Sequence, residues 1–510
     1  LFMALLLAID IGTSSAKALL FESDSAQVLA VATEEYPLLQ SAPNHAEQNP
    51  SDWWLSTISV VVQCLEAAGR RDVAAIGLTG QMHGVTLLDE HYQVLRPSII
   101  WADSRSGEIS RALTERFGAA RYAAVAGTLP AAGFMGPSLM WLAQHEPELL
   151  QRVRMVLLPK DYVRLKLTGS AATDYSDAAA TGIFDVTHGA WSTELLDAIN
   201  LPLRIFPPVV ASTAIAGRLT TLAGEALGLQ AGIAVVTGCA DQPAQALANG
   251  LIAPGMASVT TGTGGQVCVP LRLTPGQPVP TDPRVHVFNH AVPGMHYVLG
   301  AILAGGLCLR WLRDLTGLRH EPSAYALLSA EAAQTPPGAS GLLFLPYLMG
   351  ERTPHMDAAA RGAFIGLRYH HGRGHMARAV MEGVAFALRQ TLDISVGLAG
   401  IQPTELIGAG GALESVVWRG IQTDVFGLPI KKTLLREQTC IGAALLAGVG
   451  IGAYTDLAEA SAAVARFDTP TLPDTVQHAA YNDAYAHFVA LYPRLRDDFA
   501  WLSSRPGLSP

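Results

Sequence analysis

The amino-acid sequence predicts an α/β protein built as two similar halves that close on a polyphosphate. Three observations lead there. Asp10-Ile-Gly-Thr-Ser-Ser-Ala-Lys17 near the start and Val259-Thr-Thr-Gly-Thr-Gly-Gly265 midway are each an apolar β-run that turns through Gly-Thr and small residues into a second apolar run. A turn so free of bulk exposes backbone N–H groups and hydroxyls, which donate to phosphate oxygens. Strand-like runs alternate with helical periods along the whole chain, the pattern of layered α/β folds. Asn249-Gly250 and Pro254-Gly255 interrupt that pattern and divide the chain at 1–249 and 250–510.

In the first half, Leu5–Asp10, Ala16–Glu22 and Val28–Glu35 read as strands, with a turn at Ser23-Asp24-Ser25. Asn49-Pro50-Ser51-Asp52 marks a helix start, with Ser51 or Asp52 expected to cap an amphipathic run to about Ala68. Val73–Thr79 and Gly84–Leu88 read as buried strands. The second half repeats the order more loosely, with strands at Met256–Thr261, Gln266–Val269 and Tyr297–Leu303, then a helix from about Gly305. A long helix over Met376–Leu398, a strand over Glu405–Gly408 and helices over Ser415–Phe426 and Ile441–Gly448 follow, while Pro270–Pro283 reads as a surface excursion.

Composition bounds the function. The 510 residues are 50% hydrophobic and 15% charged, so most elements are expected to be buried. The net charge of −9, with no basic run, excludes an electrostatic nucleic-acid surface. Five scattered cysteines without a CxxC pair read as buried free thiols of a reducing compartment. The apolar opening Leu1–Ile9 lacks a basic flank and runs straight into Asp10, so it reads as a core strand rather than a cleaved leader, with Leu1-Phe2 as an extension before Met3. No stretch reaches membrane-spanning length without charge or Gly/Pro punctuation, and the cytoplasm is the expected location.

Four motifs carry chemistry. Asp10, beside a phosphate-binding turn, can hold Mg²⁺ directly or through water, and Thr13, Ser14 and Ser15 can donate to phosphate, with Lys17 adding charge if it faces the turn. This is not a Walker A loop, since Gly-x4-Gly-Lys-Ser/Thr is absent. Val235-Val236-Thr237-Gly238-Cys239-Ala240-Asp241-Gln242 delivers a carboxylate to a strand end before the hinge, able to take a proton from a substrate hydroxyl or, more plainly, to cap a helix beginning at Pro243. Ile76–His83 delivers Gln81, Met82 and His83 beyond a buried strand, where open α/β sheets bind ligands. Gly408-Ala-Gly-Gly-Ala412 lets a flat base approach the backbone, or is simply a tight strand–helix turn. Trp101–Arg105 reads equally as site or scaffold ion pair, and Glu351 with Arg352 as a mutual pair.

With these residues collected, the chain resembles the FGGY carbohydrate kinases from about Leu5 to about Gly450. The resemblance rests on DIGTSSAK, GQMHG at Gly80–Gly84, LLPKDYVRLKLTG at Leu157–Gly169 and SDAAATGIFDV at Ser176–Val186. PYLMGERTPH at Pro346–His355 and RGAFIGL at Arg361–Leu367, leading to Arg378–Gly383, complete it. It implies two actin-like (ribonuclease H-like) ATPase domains with an interdomain catalytic cleft, using ATP and Mg²⁺. It further implies Asp241 as catalytic base, Asp10 as the Mg²⁺-associated carboxylate, and Met82 and His83 as sugar contacts with Gln81, Asp103 and Gln242 beside them. Thr13, Ser14, Gly262 and Thr263 fall at the phosphate turns, and Gly306, Arg310, Gly410, Gly411 and Ser415 where relatives hold the nucleotide. The implied acceptor is a ketopentose, D-xylulose, and the resemblance implies a homodimer, dimers being common among the relatives. Gln242 and Ala102, where many relatives carry Asn, leave another ketose or a polyol as the alternative acceptor. A non-enzymatic actin-like ATP-binding protein is the rival from another class.

Overall fold

Side-chain alternation along the first strand organises the first half of the computed structural model, which describes residues 4–274 and 276–504. Residues 1–3 of the expected Leu1–Ile9 run, and Pro275 within the 270–283 excursion, lie outside the described residues. In strand Leu5–Ile11, Leu5, Leu7, Ile9 and Ile11 enter one core, while Ala4, Leu6 and Ala8 enter another across the sheet. By the same period of two, Asp10 and its cross-strand partner Lys17 belong to the second face. Helices Pro50–Ala68 and Pro159–Thr168 cover the first face. Helix Gln438–Gly450, from far along the chain, covers the second.

The sheet so enclosed has seven strands. Leu5–Ile11, Ser15–Glu22 and Gln27–Glu35 form an antiparallel meander, and Val73–Gly80 lies parallel to the first of them. Ala234–Val236 and Cys239–Ala240 continue the parallel side, with Ile215–Arg218 at the edge. The second half repeats the plan in six strands. There Ser258–Thr261, Gly265–Arg272 and Met295–Ile302 form the meander, extended by His286–Asn289, and Leu406–Ala409 and Ile430–Lys432 add the parallel side. Helix Arg373–Ala399 packs on this sheet through Val384 and Leu388, and helices Val416–Phe426 and Thr475–Ser503 close the layer behind it.

Most expected elements appear with longer bounds. Helix Pro50–Ala68 takes Asn49 as its N-cap rather than Ser51 or Asp52, because proline fits the first helical position, where its missing N–H leaves nothing unpaired. The strand expected from Gly84 begins at Thr86, since His83 at φ 72° breaks the extended path. A division at 249/250 falls between the two sheets. Helices Gln438–Gly450 and Leu457–Val464 are the exception, returning to pack with the first. All five cysteines are buried and free. Among the described residues no helix is long and apolar enough to cross a membrane.

Candidate active site

Three adjacent parallel strands end together on the cleft side of the first sheet. Asp10, Thr79 and Cys239 occupy one row of the register, and Ile11, Gly80 and Ala240 the next. Asp10, Gln81 and Asp241 therefore emerge side by side. Asp10 Oδ2 accepts a 2.7 Å hydrogen bond from the Thr439 hydroxyl of the returning helix, while its Oδ1 is buried without a partner. Burial raises the Asp10 pKa, against the pull of Thr439 and Lys17. Asp241 is the first residue of helix Asp241–Ala248, which begins two residues earlier than the expected Pro243. Its Oδ1 is likewise buried and unpartnered, and burial together with the nearby Asp10 carboxylate pushes its pKa up to about 7. Two carboxyl groups, both with raised pKa, thus lie close together at these strand ends.

The two Gly-Thr turns differ in how they are held. Between Ile11 and Ser15 the Gly12 N–H donates to the Ser15 carbonyl at 3.0 Å, and the Thr13 hydroxyl accepts from the Trp101 indole at 2.8 Å. Ser14 is exposed, and Lys17 pairs with Glu437 beside the returning helix, so its charge is already matched. In the second turn the Gly262 and Thr263 carbonyls accept from Gly306 at 2.7 Å and Gly305 at 2.9 Å, locking the turn to the start of helix Gly306–Leu315. A Cβ on Gly305 would lie 2.5 Å from the Gly264 carbonyl oxygen, so only glycine allows that approach.

Beside this turn opens a cavity of about 360 Å³ lined by Gly262, Thr263, Gly306, Arg310, Gly411 and Ser415. Gly410 lies beneath it, at φ 94° and with room for no Cβ, which would come within 2.5 Å of the Thr261 carbonyl oxygen. Ser415 caps helix Val416–Phe426 by accepting from the Trp418 N–H at 3.2 Å. Tyr325, Ser329 and Trp418 complete the walls. Sequence reading missed them because they come from two helices, Ala324–Ala333 and Val416–Phe426, that meet this turn only in the folded chain.

At the end of strand Val73–Gly80, the Gln81 side chain donates to Gln48 Oε1 at 2.9 Å, and Met82 is buried among apolar residues of both halves. His83 stacks on Phe134, ring centroids 3.9 Å apart, and meets Phe288 of the second sheet edge-on at 6.3 Å. Its Nδ1 faces the Ala180 carbonyl and so carries the proton, leaving Nε2 as an acceptor. Burial, opposed by that bond and aided by the Arg352 charge, pushes its pKa down to about 3. Asp103 stands apart from these groups in its commitments, held by Arg105 Nε and Nη2 at 2.9 and 2.7 Å and by the Ala46 N–H at 2.7 Å. Gln242 is half-buried beside Gln245, Asn249 and Gln266.

Behind Asp241 lies a network that spacing alone did not reveal as one unit. Lys160 reaches Asp161, Asp174 and Asp177 at 2.7, 3.1 and 3.0 Å, and Arg164 reaches Asp161 at 2.8 Å, all with fully buried side chains. Burial pushes the Asp177 carboxyl well up, against the pull of the Lys160 ammonium. Arg164 also donates to the Thr237 carbonyl at 2.8 Å and the Ser176 hydroxyl accepts from the Ala240 N–H at 3.1 Å. Both bonds hold the strand end that carries Asp241. Lys160, Asp161 and Arg164 stand together in the segment Leu157–Gly169, but Asp174 and Asp177 lie ten residues or more further along.

The model of the FGGY family of carbohydrate kinases, N-terminal domain, matches residues 5–248, and that of the C-terminal domain matches residues 257–451. The chain is 36% identical over 488 residues to the xylulose kinase of Escherichia coli K12, covering 96% of this chain and 98% of that protein. It is 33% identical to the xylulose kinase of Bacillus subtilis 168, covering 97% and 98%. The crystal structure of xylulose kinase from Rhodospirillum rubrum superposes with a TM-score of 0.90 at 31% identity, covering 98% of this chain and 100% of that one. With both domain models matched in order over one cleft, the chain belongs to the FGGY family of carbohydrate kinases.

Proposed function

We propose that this protein transfers the γ-phosphoryl group of ATP to the terminal hydroxyl of D-xylulose, giving D-xylulose 5-phosphate and ADP. The observation that carries the reading is the pair of half-buried carboxyl groups, Asp10 and Asp241, each with a buried oxygen that no protein group satisfies, at the ends of the two strands that flank Val73–Gly80. The names of the full-length relatives supply the acceptor.

In this reading the sugar lies over His83, whose Nε2 accepts from a sugar hydroxyl, and its terminal hydroxyl points at Asp241 Oδ1. As that oxygen attacks the γ-phosphorus in line, its proton passes to Asp241 and the bond to the β-phosphate oxygen breaks. ATP lies across the cleft with its base against Gly411, Ser415 and Trp418 and its phosphates between the turns at Gly12–Ser14 and Gly262–Gly264. The sugar site and the general base Asp241 belong to residues 1–249 and the nucleotide site to 250–510. The buried Oδ1 of Asp10 fits Mg²⁺, which takes one or two carboxylates and keeps its waters. When bound, the ion supplies charge neutralisation of the β- and γ-phosphates. Asp103 then serves the scaffold that holds Trp101 and Thr13 rather than touching the sugar.

An assay of ADP release with Mg-ATP tests the reading against D-xylulose, L-xylulose, D- and L-ribulose, L-fuculose, glycerol, erythritol and 1-deoxy-D-xylulose. D-Xylulose is expected to give the highest kcat/KM. A higher value for another acceptor would reassign the substrate and point to Gln242 and Ala102. A second outcome concerns pH. Because the raised pKa keeps Asp241 protonated below about 7, kcat/KM is expected to rise as pH climbs through that value and the carboxylate becomes able to accept a proton. A pH-independent rate across this region would argue against Asp241 as base.

A further inference from the structure

Arg352 and Glu351 do not form the pair expected from their adjacency. Glu351 Oε1 instead accepts the N–H groups of Leu303 and Arg352, each at 2.8 Å, and burial pushes its pKa up to about 8. Thr353 then anchors the segment, its hydroxyl donating to the Arg284 carbonyl at 2.6 Å and its N–H to the Ala301 carbonyl at 3.0 Å. These bonds set Arg352 beside the start of strand His286–Asn289. There His286 stacks on Phe288 at 5.4 Å and lies 5.8 Å from Phe134, the ring that carries His83. Among the described residues the half-buried guanidinium has no hydrogen-bond or ion-pair partner within 4.0 Å. Its field is felt at both His83 and His286, the two imidazoles of this wall.

The donor balance of the wall gives this cation a purpose. His83 presents an acceptor, its one N–H being spent on Ala180. Asp10 and Asp241 present acceptors, and the Gln81 amide N–H groups are spent on Gln48 and Gly12. Sugar hydroxyls can donate to all of these, but a ketose also carries one oxygen that only accepts, its carbonyl. A carbonyl facing acceptors alone would lose its hydrogen bonds on leaving water, a cost of about tenfold to hundredfold in affinity. Arg352 is donor-only and unspent.

Building on the kinase reading above, we propose that Arg352, reaching in from the second half, donates to the carbonyl oxygen of the bound ketose and so selects ketoses over the polyols that carry a hydroxyl in its place. The test compares D-xylulose with xylitol and D-arabinitol in the unaltered protein, Arg352→Ala and Arg352→Lys. Polyols that are not phosphorylated are measured as competing inhibitors. Arg352→Ala is expected to lower kcat/KM for D-xylulose by about tenfold to hundredfold and leave the polyol constants and KM for ATP within about twofold, with Arg352→Lys in between. Equal losses for ketose and polyol, or no loss for either, would overturn the proposal. If Arg352→Ala does not fold, Arg352→Lys carries the same comparison, because it keeps the charge and loses the fork. Should the unaltered protein phosphorylate no ketose, the kinase reading fails. Calorimetric binding of D-xylulose and xylitol to each variant then still decides the role of Arg352.

Discussion

Asp241→Asn is expected to lower kcat by about 10²–10⁴-fold while ATP and sugar still bind. The substitution preserves shape at a half-buried position, so packing of helix Asp241–Ala248 is retained. What it removes is the ability of Oδ1 to receive a proton, since an amide oxygen is too weak a base. It also removes the charge that repels Asp10 once both carboxyls are ionised, so sugar affinity is expected to hold or improve. Separate measurement of kcat, of KM for each substrate and of nucleotide binding by calorimetry checks this. A fall in kcat smaller than about tenfold would take the general base away from Asp241.

Gly442→Val is expected to be the most destabilising single change far from the bound substrates. Helix Gln438–Gly450 is clamped on both sides by backbone. A Cβ on Gly442 would lie 2.0 Å from the Ala244 carbonyl oxygen, and on the opposite side a Cβ on Gly77 would lie 1.9 Å from the Ala443 carbonyl oxygen. No flexible side chain stands at either contact to move aside. Overpacking against backbone on this scale costs about 3 kcal/mol or more. The thermal midpoint without ligand should drop accordingly. Residual turnover should fall as well, because the same helix presents Thr439 to Asp10. An unchanged midpoint would mean that the helix can stand off from the sheet without cost.

Local chemistry was legible where a short segment sets its own conformation. The two Gly-Thr turns, the strand ends carrying Asp10, Gln81 and Asp241, and the long helix near 376–398 all follow from periodicity and turn residues. Partnerships between distant segments were not. Nothing beside Lys17 indicates that its charge is matched by Glu437, and nothing beside Asp10 indicates Thr439. Asp103 looks like a cleft carboxylate until Arg105 and the Ala46 N–H are found around it. Glu351 and Arg352 look like a pair until the Leu303 N–H claims the carboxylate. In each case the local pattern gave the residue type and its strand end, and tertiary contacts decided whether the group remained available.

The crossing of Gln438–Gly450 back to the first sheet also limits how this protein can be cut. Ending the chain at Asn249 would strip the cover from Leu6, Ala8, Leu19, Phe21 and Ala75 and leave a bare apolar sheet face in water. The amino-terminal half is therefore not autonomous. A soluble excised version needs residues 438–464 supplied, either joined through a short linker after residue 249 or added as a separate peptide that complements it.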